Sequence, residues 1–188
     1  MKLSHVAKRA GLCLAASMLL LGAYLGFLQL TGNFHEVVPG QFYRSAQLSK
    51  EGFDHYIETY HIRTVINLRG GKPGAQWYED ELAAAKAHGV THIDFPMSAR
   101  KALTPEQSFE LVSLLRNAQG PILVHCKSGA DRTGLASVMY LQQVANVDEE
   151  TAEWQLTPLF GHLNIPFTGP YAMDDTWEDF EKLIGLPS

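Results

Sequence analysis

The hydrophobic pattern divides the chain in two. From Ala10 to Leu30 the sequence is apolar without a period and is interrupted only by Ser17 and Gln29. That is about the 20 residues a helix needs to cross a bilayer. After Val37 the apolar positions fall instead into short runs and helical stripes divided by polar turns. Ser49 predicts a helix cap, and Phe53, Tyr56, Ile57 and Tyr60 then share one side of a helix running to His61. Thr64-Val65-Ile66-Asn67-Leu68 reads as a buried strand ended by Gly70-Gly71, and Gln76 to His88 as a helix stopped by Gly89. His92-Ile93-Asp94-Phe95 predicts a second strand closed by Pro96. Thr104-Pro105-Glu106-Gln107 combines an N-cap, a proline at the first helical position and a glutamine at the third, so a helix should run from there to about Asn117. Pro121 to Val124 is a third strand, and helices are expected from Arg132 to Ala145, Asp148 to Thr157 and Asp174 to Ile184. Strands alternating with helices imply an α/β fold: a central, mostly parallel sheet flanked by helices.

The N-terminal apolar run follows Lys2, Lys8 and Arg9, and no acidic residue occurs before Glu36. A basic flank stays on the cytoplasmic side. The reading is therefore a flank at 1–9, a signal anchor or transmembrane helix at 10–30, a tether at 31–36 and a globular domain at 37–188, facing outward in a periplasm-like space. A cleaved signal peptide is the competing reading, but its A-x-A-like site is lacking: Leu21 stands two residues before Ala23, and Leu30 two before Gly32.

Charge and cysteine usage narrow the chemistry. Without the three basic flank residues, 12 Lys+Arg face 20 Asp+Glu, a net charge of −8. Such a domain holds neither nucleic acid nor anionic lipid by bulk charge, so an anionic substrate must be captured locally. Of the two cysteines, Cys13 lies in the apolar run and Cys126 is alone in the domain, where it has no disulfide partner.

Cys126 follows the third strand and opens the loop His125-Cys126-Lys127-Ser128-Gly129-Ala130-Asp131-Arg132-Thr133 before a helix. A strand that turns sharply into a helix points the loop amides of Lys127, Ser128, Gly129, Ala130 and Asp131, and the first free N–H groups of the helix, at one small volume, which is an anion site. Gly129 permits the curvature, and Arg132 can grip two phosphate oxygens in a bidentate fork. The same surroundings favour the nucleophilic thiolate form of Cys126. The Thr133 hydroxyl is placed to hydrogen-bond the sulfur, and His125 to hold the turn through its ring. Taken singly, a cysteine at a strand end is usually a core residue and an arginine in a first helical turn a surface charge. Their joint spacing is what points to phosphate chemistry.

The pattern His125-Cys-x-x-Gly-x-x-Arg-Thr133 resembles the signature loop of cysteine-dependent protein tyrosine and dual-specificity phosphatases. Tyr43-Arg44-Ser45-Ala46-Gln47 and Thr64-Val65-Ile66-Asn67-Leu68-Arg69 are similar to the opening of a bacterial and fungal branch of small, atypical dual-specificity phosphatases. The resemblance covers roughly 37–145. It implies a metal-free, cofactor-free hydrolysis of phosphomonoesters through a cysteinyl-phosphate, with Cys126 as nucleophile and Arg132 as phosphate ligand.

One feature departs from that family. Its usual acid is an aspartate on the loop after the second strand, and here that stretch reads Pro96-Met97-Ser98-Ala99-Arg100-Lys101, without a carboxylate. Asp131, inside the loop, is the first candidate to replace it; Asp94 is the second, with a structural hydrogen bond as its ordinary role. The expected substrate is phosphotyrosine on a membrane or secreted protein, or a small phosphate ester, met by a monomer held at the membrane by its N-terminal helix. Lys127 resembles the lysine of phosphoinositide phosphatases in the superfamily, but Ala130 stands where those carry a second one. Tyr43 and Trp77 are candidates to line the pocket, with core packing as the commoner fate. The alternatives are a catalytically silent phosphate-binding module and a rhodanese-like sulfur transferase; the Gly129 spacing and the Arg132-Thr133 pair argue against the latter.

Overall fold

The computed structural model describes residues 2–186. Helix α1 (Lys2–Leu30) is followed by strands β1 (His35–Val38) and β2 (Phe42–Ser45), helix α2 (Lys50–Tyr60), strand β3 (Thr64–Asn67), helix α3 (Gln76–His88), strand β4 (Thr91–Asp94), helix α4 (Pro105–Asn117), strand β5 (Ile122–His125) and helices α5 (Asp131–Gln143), α6 (Glu149–Glu153) and α7 (Ala172–Ile184). The sheet order is β1-β2-β5-β3-β4. The β2, β5, β3 and β4 pairings are parallel, and only β1 runs antiparallel, to β2.

Register places Ser45, His125, Asn67 and Asp94 in one row at the C-terminal edge of the parallel strands. Residues along the central strands alternate between two cores. Phe42, Ile66, Ile122 and Val124 pack with α4, α5 and α7, whereas Tyr43, Val65 and Leu123 pack with α2 and α3. Two-sided burial explains why these strands read as unbroken apolar runs.

Local signals set the helix ends. Ser49 Oγ accepts from the Gly52 amide, and Thr104 forms the full capping box with Gln107; each cap contributes about 1 kcal/mol. Gly89 ends α3 in the left-handed region at φ 65. Helix α6 is shorter than the expected 148–157. Pro158 holds Thr157 extended at φ −135, ψ 165, and the chain restarts as a 3-10 turn at Pro158–Phe160. Strands β1 and β2 were not expected. Every residue of β2 is buried, but one of them is Arg44, and β1 is a bulged edge strand containing His35 and Glu36. The residues expected as a tether are built into the fold, since Asn33 is buried and β1 begins at His35. Helix α1 is long and apolar enough over Ala7–Leu30 to cross a membrane, a test that a signal sequence also passes.

Candidate active site

The Cys126 loop joins β5 to α5 at the C-terminal edge of the sheet, where open α/β sheets bind ligands. Its carbonyls are held from outside, one after another. The Gln47 amide donates to Lys127 O at 3.2 Å, and Asn33 and Gln29 side chains donate to Ser128 O at 3.0 and 3.1 Å. Arg44 Nη2 donates to Gly129 O at 2.7 Å and to Ala130 O at 3.2 Å. A peptide is planar and its N–H points opposite to its C=O. Four carbonyls tied outward therefore aim the amides of Ser128, Gly129, Ala130 and Asp131 the other way, toward the inside of the loop. Gly129, at φ +70, makes the fold of the loop possible. A Cβ there would lie 2.6 Å from Ala46 N and 2.8 Å from Ser45 O.

Arg44 is wholly buried and also donates to Gln155, with its guanidinium 4.2 Å from the Phe160 ring centre. Burial pulls its pKa down to about 9, against the charges of Cys126 and Asp131, which raise it. A buried cation without a carboxylate in contact favours negative charge in the loop beside it.

Arg132 lies in the first turn of α5, and its Nη1 donates to Leu68 O and Met97 O, each at 3.3 Å. Its Nε is buried without a partner, leaving an N–H for an anion. Arg69 shares this space: burial and the neighbouring Arg132 charge lower its pKa. It stacks 3.4 Å over the Trp77 ring and donates to Gln47 Oε1 at 2.7 Å. Thr133 does not meet its expectation. Its Oγ1 is buried with no hydrogen-bond partner, so the bond to the Cys126 sulfur is not made. Lys127 is exposed, and Cys126 itself is buried, free and packed among α4–α7 side core residues.

Two carboxylate–histidine centres flank the loop. On the α2–α3 side, Glu81 Oε1 lies 2.8 Å from His125 Nε2 and 2.7 Å from His92 Nε2, and Glu81 Oε2 accepts from Gln47 at 3.0 Å. Burial would raise the Glu81 pKa, but the charge and hydrogen bond of His125, with the bonds of His92 and Gln47, bring it down to about 2. On the other side, His162 Nδ1 lies 2.9 Å from Asp131 Oδ1 and His162 Nε2 lies 2.9 Å from Asp174 Oδ2. Burial lowers the His162 pKa, and the bonds to both aspartates outweigh it and raise it to about 9.

Residues 32–161 match the family described as DSP-PTPase phosphatase fused to NAD+ kinase. The chain belongs to this phosphatase family. It is 27% identical over 109 residues to the human dual specificity protein phosphatase CDC14C, covering 57% of this chain and 23% of that protein. It is 29% identical over 129 residues to mouse CDC14B, covering 60% of this chain and 24% of that one. The chain thus spans about a quarter of the length of these curated relatives. Among solved structures it superposes on TpbA of P. aeruginosa with a TM-score of 0.63 at 22% identity, covering 79% of this chain and 85% of that one. PTPMT1 gives 0.59 at 17% identity, with 81% and 98% covered.

In this phosphatase the sequence-expected residues Cys126 to Thr133 do converge on one loop, whereas the other candidates lie elsewhere. Asp94 is engaged by Asn67 Nδ2 at 2.7 Å and by the Tyr78 hydroxyl at 2.5 Å, the structural role expected of a strand carboxylate. Tyr43 is a core residue stacked on Phe34, and Trp77 reaches the rim only through Arg69. Sequence reasoning missed Glu81, Arg44, His162, Asp174 and Asn33. Glu81 had a readable signal, because it falls on the same α3 stripe as buried Tyr78, Ala84 and Ala85: a carboxylate on an apolar face needs partners.

Proposed function

We propose that this phosphatase hydrolyses phosphomonoesters through a cysteinyl-phosphate on Cys126, with phosphotyrosine on a membrane or secreted protein as its substrate. The observation that carries this is the set of outward-held carbonyls from Lys127 to Ala130, which turns the loop into a cradle for the equatorial phosphate oxygens around the sulfur. Arg132 contributes its unused Nε–H to the same group. In the first step the thiolate attacks phosphorus, the S–P bond forms, the P–O bond to the leaving group breaks, and the leaving oxygen takes a proton. In the second step water attacks phosphorus, the S–P bond breaks, and the thiolate returns with release of inorganic phosphate.

Asp131 supplies the proton. Its carboxylate bonds His162 Nδ1 at 2.9 Å, so a proton held on the imidazolium can pass through it to the leaving oxygen. Asp174 accepts from Nε2–H and so leaves Nδ1 as the nitrogen that exchanges with Asp131. In the second step Asp131 takes a proton from water. Arg69, Trp77 and Lys127 stand at the rim to meet the rest of the substrate. TpbA has been solved in complex with phosphotyrosine, and Ala130 in place of a second lysine argues against a polyphosphorylated head group.

The test uses the full chain in detergent, with an aryl phosphate and no added metal. Turnover that Cys126→Ser abolishes while phosphate still binds is the expected result. Wild-type protein that binds phosphate without turning substrate over would make the domain a silent phosphate-binding module.

A further inference from the structure

The last two turns of α1 do not stand clear of the phosphatase fold. Leu28 is 3% exposed, whereas Phe27 and Leu30 beside it are 59% and 90% exposed. Tyr24 Oη donates to Leu159 O at 2.5 Å. A Cβ on Gly161 would lie 3.6 Å from Leu28 Cδ1, 3.7 Å from Leu25 Cδ2 and 3.6 Å from Ala130 Cβ. Gly161 is thus the spacer between the helix end and the Cys126 loop. Beyond Leu30 the chain reverses through Gly32 and Asn33, both at positive φ, and Ala46 N–H donates to Gly32 O at 2.8 Å.

Asn33 is 1% exposed, and its single Nδ2 donates to Ser128 O at 3.0 Å and to Phe160 O at 2.9 Å. Its Oδ1 meets His35 Nε2 at 2.9 Å. Gln29 Nε2, from the last turn of α1, donates to the same Ser128 O at 3.1 Å. The Lys127, Gly129 and Ala130 carbonyls are held by Gln47 and Arg44, from the strand β2 region of the sheet. Ser128 alone is held by residues that precede the sheet. The same rigid peptide that carries Ser128 O carries the Gly129 N–H at its other end, so these two amide side chains set where that N–H points.

We propose that Asn33 and Gln29, with the helix end that presents them, are positioning residues for the phosphate cradle, acting through the Ser128–Gly129 peptide; the proposal rests on the reading of the loop as a phosphoryl-transfer site. Neither touches a phosphate. Asparagine suits the place because one Nδ2 has two N–H groups for two carbonyls, and because it tolerates φ 44. A chain beginning at Val37 keeps Cys126 and Arg132 but loses this part of the cradle. The end of the apolar helix is accordingly a working part of the enzyme.

The experiment compares full-length variants in detergent by kcat and KM on an aryl phosphate, by orthovanadate affinity and by Tm. Orthovanadate reads the cradle, because it mimics the transferring phosphoryl group. Losing one oxyanion donor costs about 100–1,000-fold in kcat, and misaiming one costs part of that. Asn33→Ala should lower kcat about 10–100-fold and weaken vanadate by a similar factor, with KM changing less. Gln29→Glu, an exposed change that sets a carboxylate against Ser128 O, should lower kcat by about 5-fold with an unchanged Tm. Wild-type kcat and vanadate affinity in Gln29→Glu overturn the proposal, whether Asn33→Ala folds or not. A wild-type chain without turnover would overturn the phosphatase reading instead, and vanadate affinity would still decide this one.

Discussion

The two carboxylate–histidine centres on either side of the sheet have inverse composition and inverse electrostatics. Under α3, one carboxylate, Glu81, lies between two imidazoles; beside α5 and α7, one imidazole, His162, lies between two carboxylates. The minority partner is driven toward its charged form each time, Glu81 down to about 2 and His162 up to about 9. Glu81 holds the histidine that precedes Cys126, and through Gln47 it reaches Arg69, but it lies behind the loop with its side chain wholly enclosed. His162 is equally enclosed, yet its partner Asp131 keeps 19% of its side chain exposed inside the loop. An ion cluster sealed from the pocket pins geometry. One that shares a proton with a residue of the pocket can spend it. In the proposed mechanism the difference lies in Asp131, the one carboxylate of the two centres that is part of the loop and partly exposed, and the predictions for the two centres separate on it.

The largest effect should come from Glu81→Gln. Removing one partner of a buried ionic cluster costs about 3–5 kcal/mol, seen as a Tm drop of about 6–20 °C for a chain of this size. The folded fraction should slow equally on aryl and alkyl phosphates. The pH sign is also set. Glu81 is depressed in the fold, so its contribution is present above its ordinary value of 4.5 and is lost as pH falls through about 2. Acid unfolding of Glu81→Gln should therefore begin at higher pH than wild type. A selective loss on alkyl phosphates would make Glu81 part of the proton path and collapse the contrast.

Next is Asp131→Asn. General acids contribute about 100–10,000-fold, and a phosphate with a poor leaving group should lose about that much, whereas an activated aryl phosphate should lose less than about 10-fold. Equal slowing would remove Asp131 from the role.

These centres also mark how far the sequence could be read. The Cys126 loop was legible because its chemistry is local: strand, tight turn and helix start fix the amides within nine consecutive residues. The helix limits of α3 and α4 were legible for the same reason, through Gly89 and the Thr104 box. What holds the loop was not local. Asn33, Arg44 and His162 reach it across 95, 85 and 31 residues of sequence, and no periodicity announces such pairs. Arg44 even disguised its strand, since a charge amid Phe42 and Tyr43 breaks the apolar run that would have announced it. Asp174 sits on the α7 stripe with buried Trp177 and Glu181, a signal like that of Glu81 but one that gives no hint of its partner.

His162→Gln tests the store without touching the loop. Asp131 remains but loses the imidazole that shares its proton, so turnover of a poor leaving group should fall about 10-fold and that of an activated one little. His162 is raised in the fold, so its stabilisation is full below its ordinary 6.5 and lost as pH rises through about 9. Wild-type activity on alkyl phosphates should decline as pH rises through about 9, where folded His162 loses the proton the relay needs. A profile whose alkaline limb does not move in His162→Gln would reduce His162 to a packing residue.

The smallest effect belongs to a third cluster, which has carboxylates but no base. Glu149, Glu153 and Glu181 bring oxygens within 4.8 Å of one another, and among the described residues none of the three enters an ion pair. Burial, followed by the two neighbouring glutamates, pushes Glu181 up to about 8. The folded state then binds a proton that the unfolded chain releases above 4.5, so stability falls as pH rises from about 4.5 to 8. Glu181→Gln keeps the shape and removes the titration. Its Tm should match wild type near pH 4.5 and exceed it at pH 8 by a few degrees, about 1 kcal/mol after allowance for solvent screening of the exposed Glu153. Identical pH dependence in the two proteins would mean that the carboxylates part in solution. Glu149, Glu153 and Glu181 have no imidazole between them, and the size of that Tm gap measures what crowding carboxylates without one costs the fold.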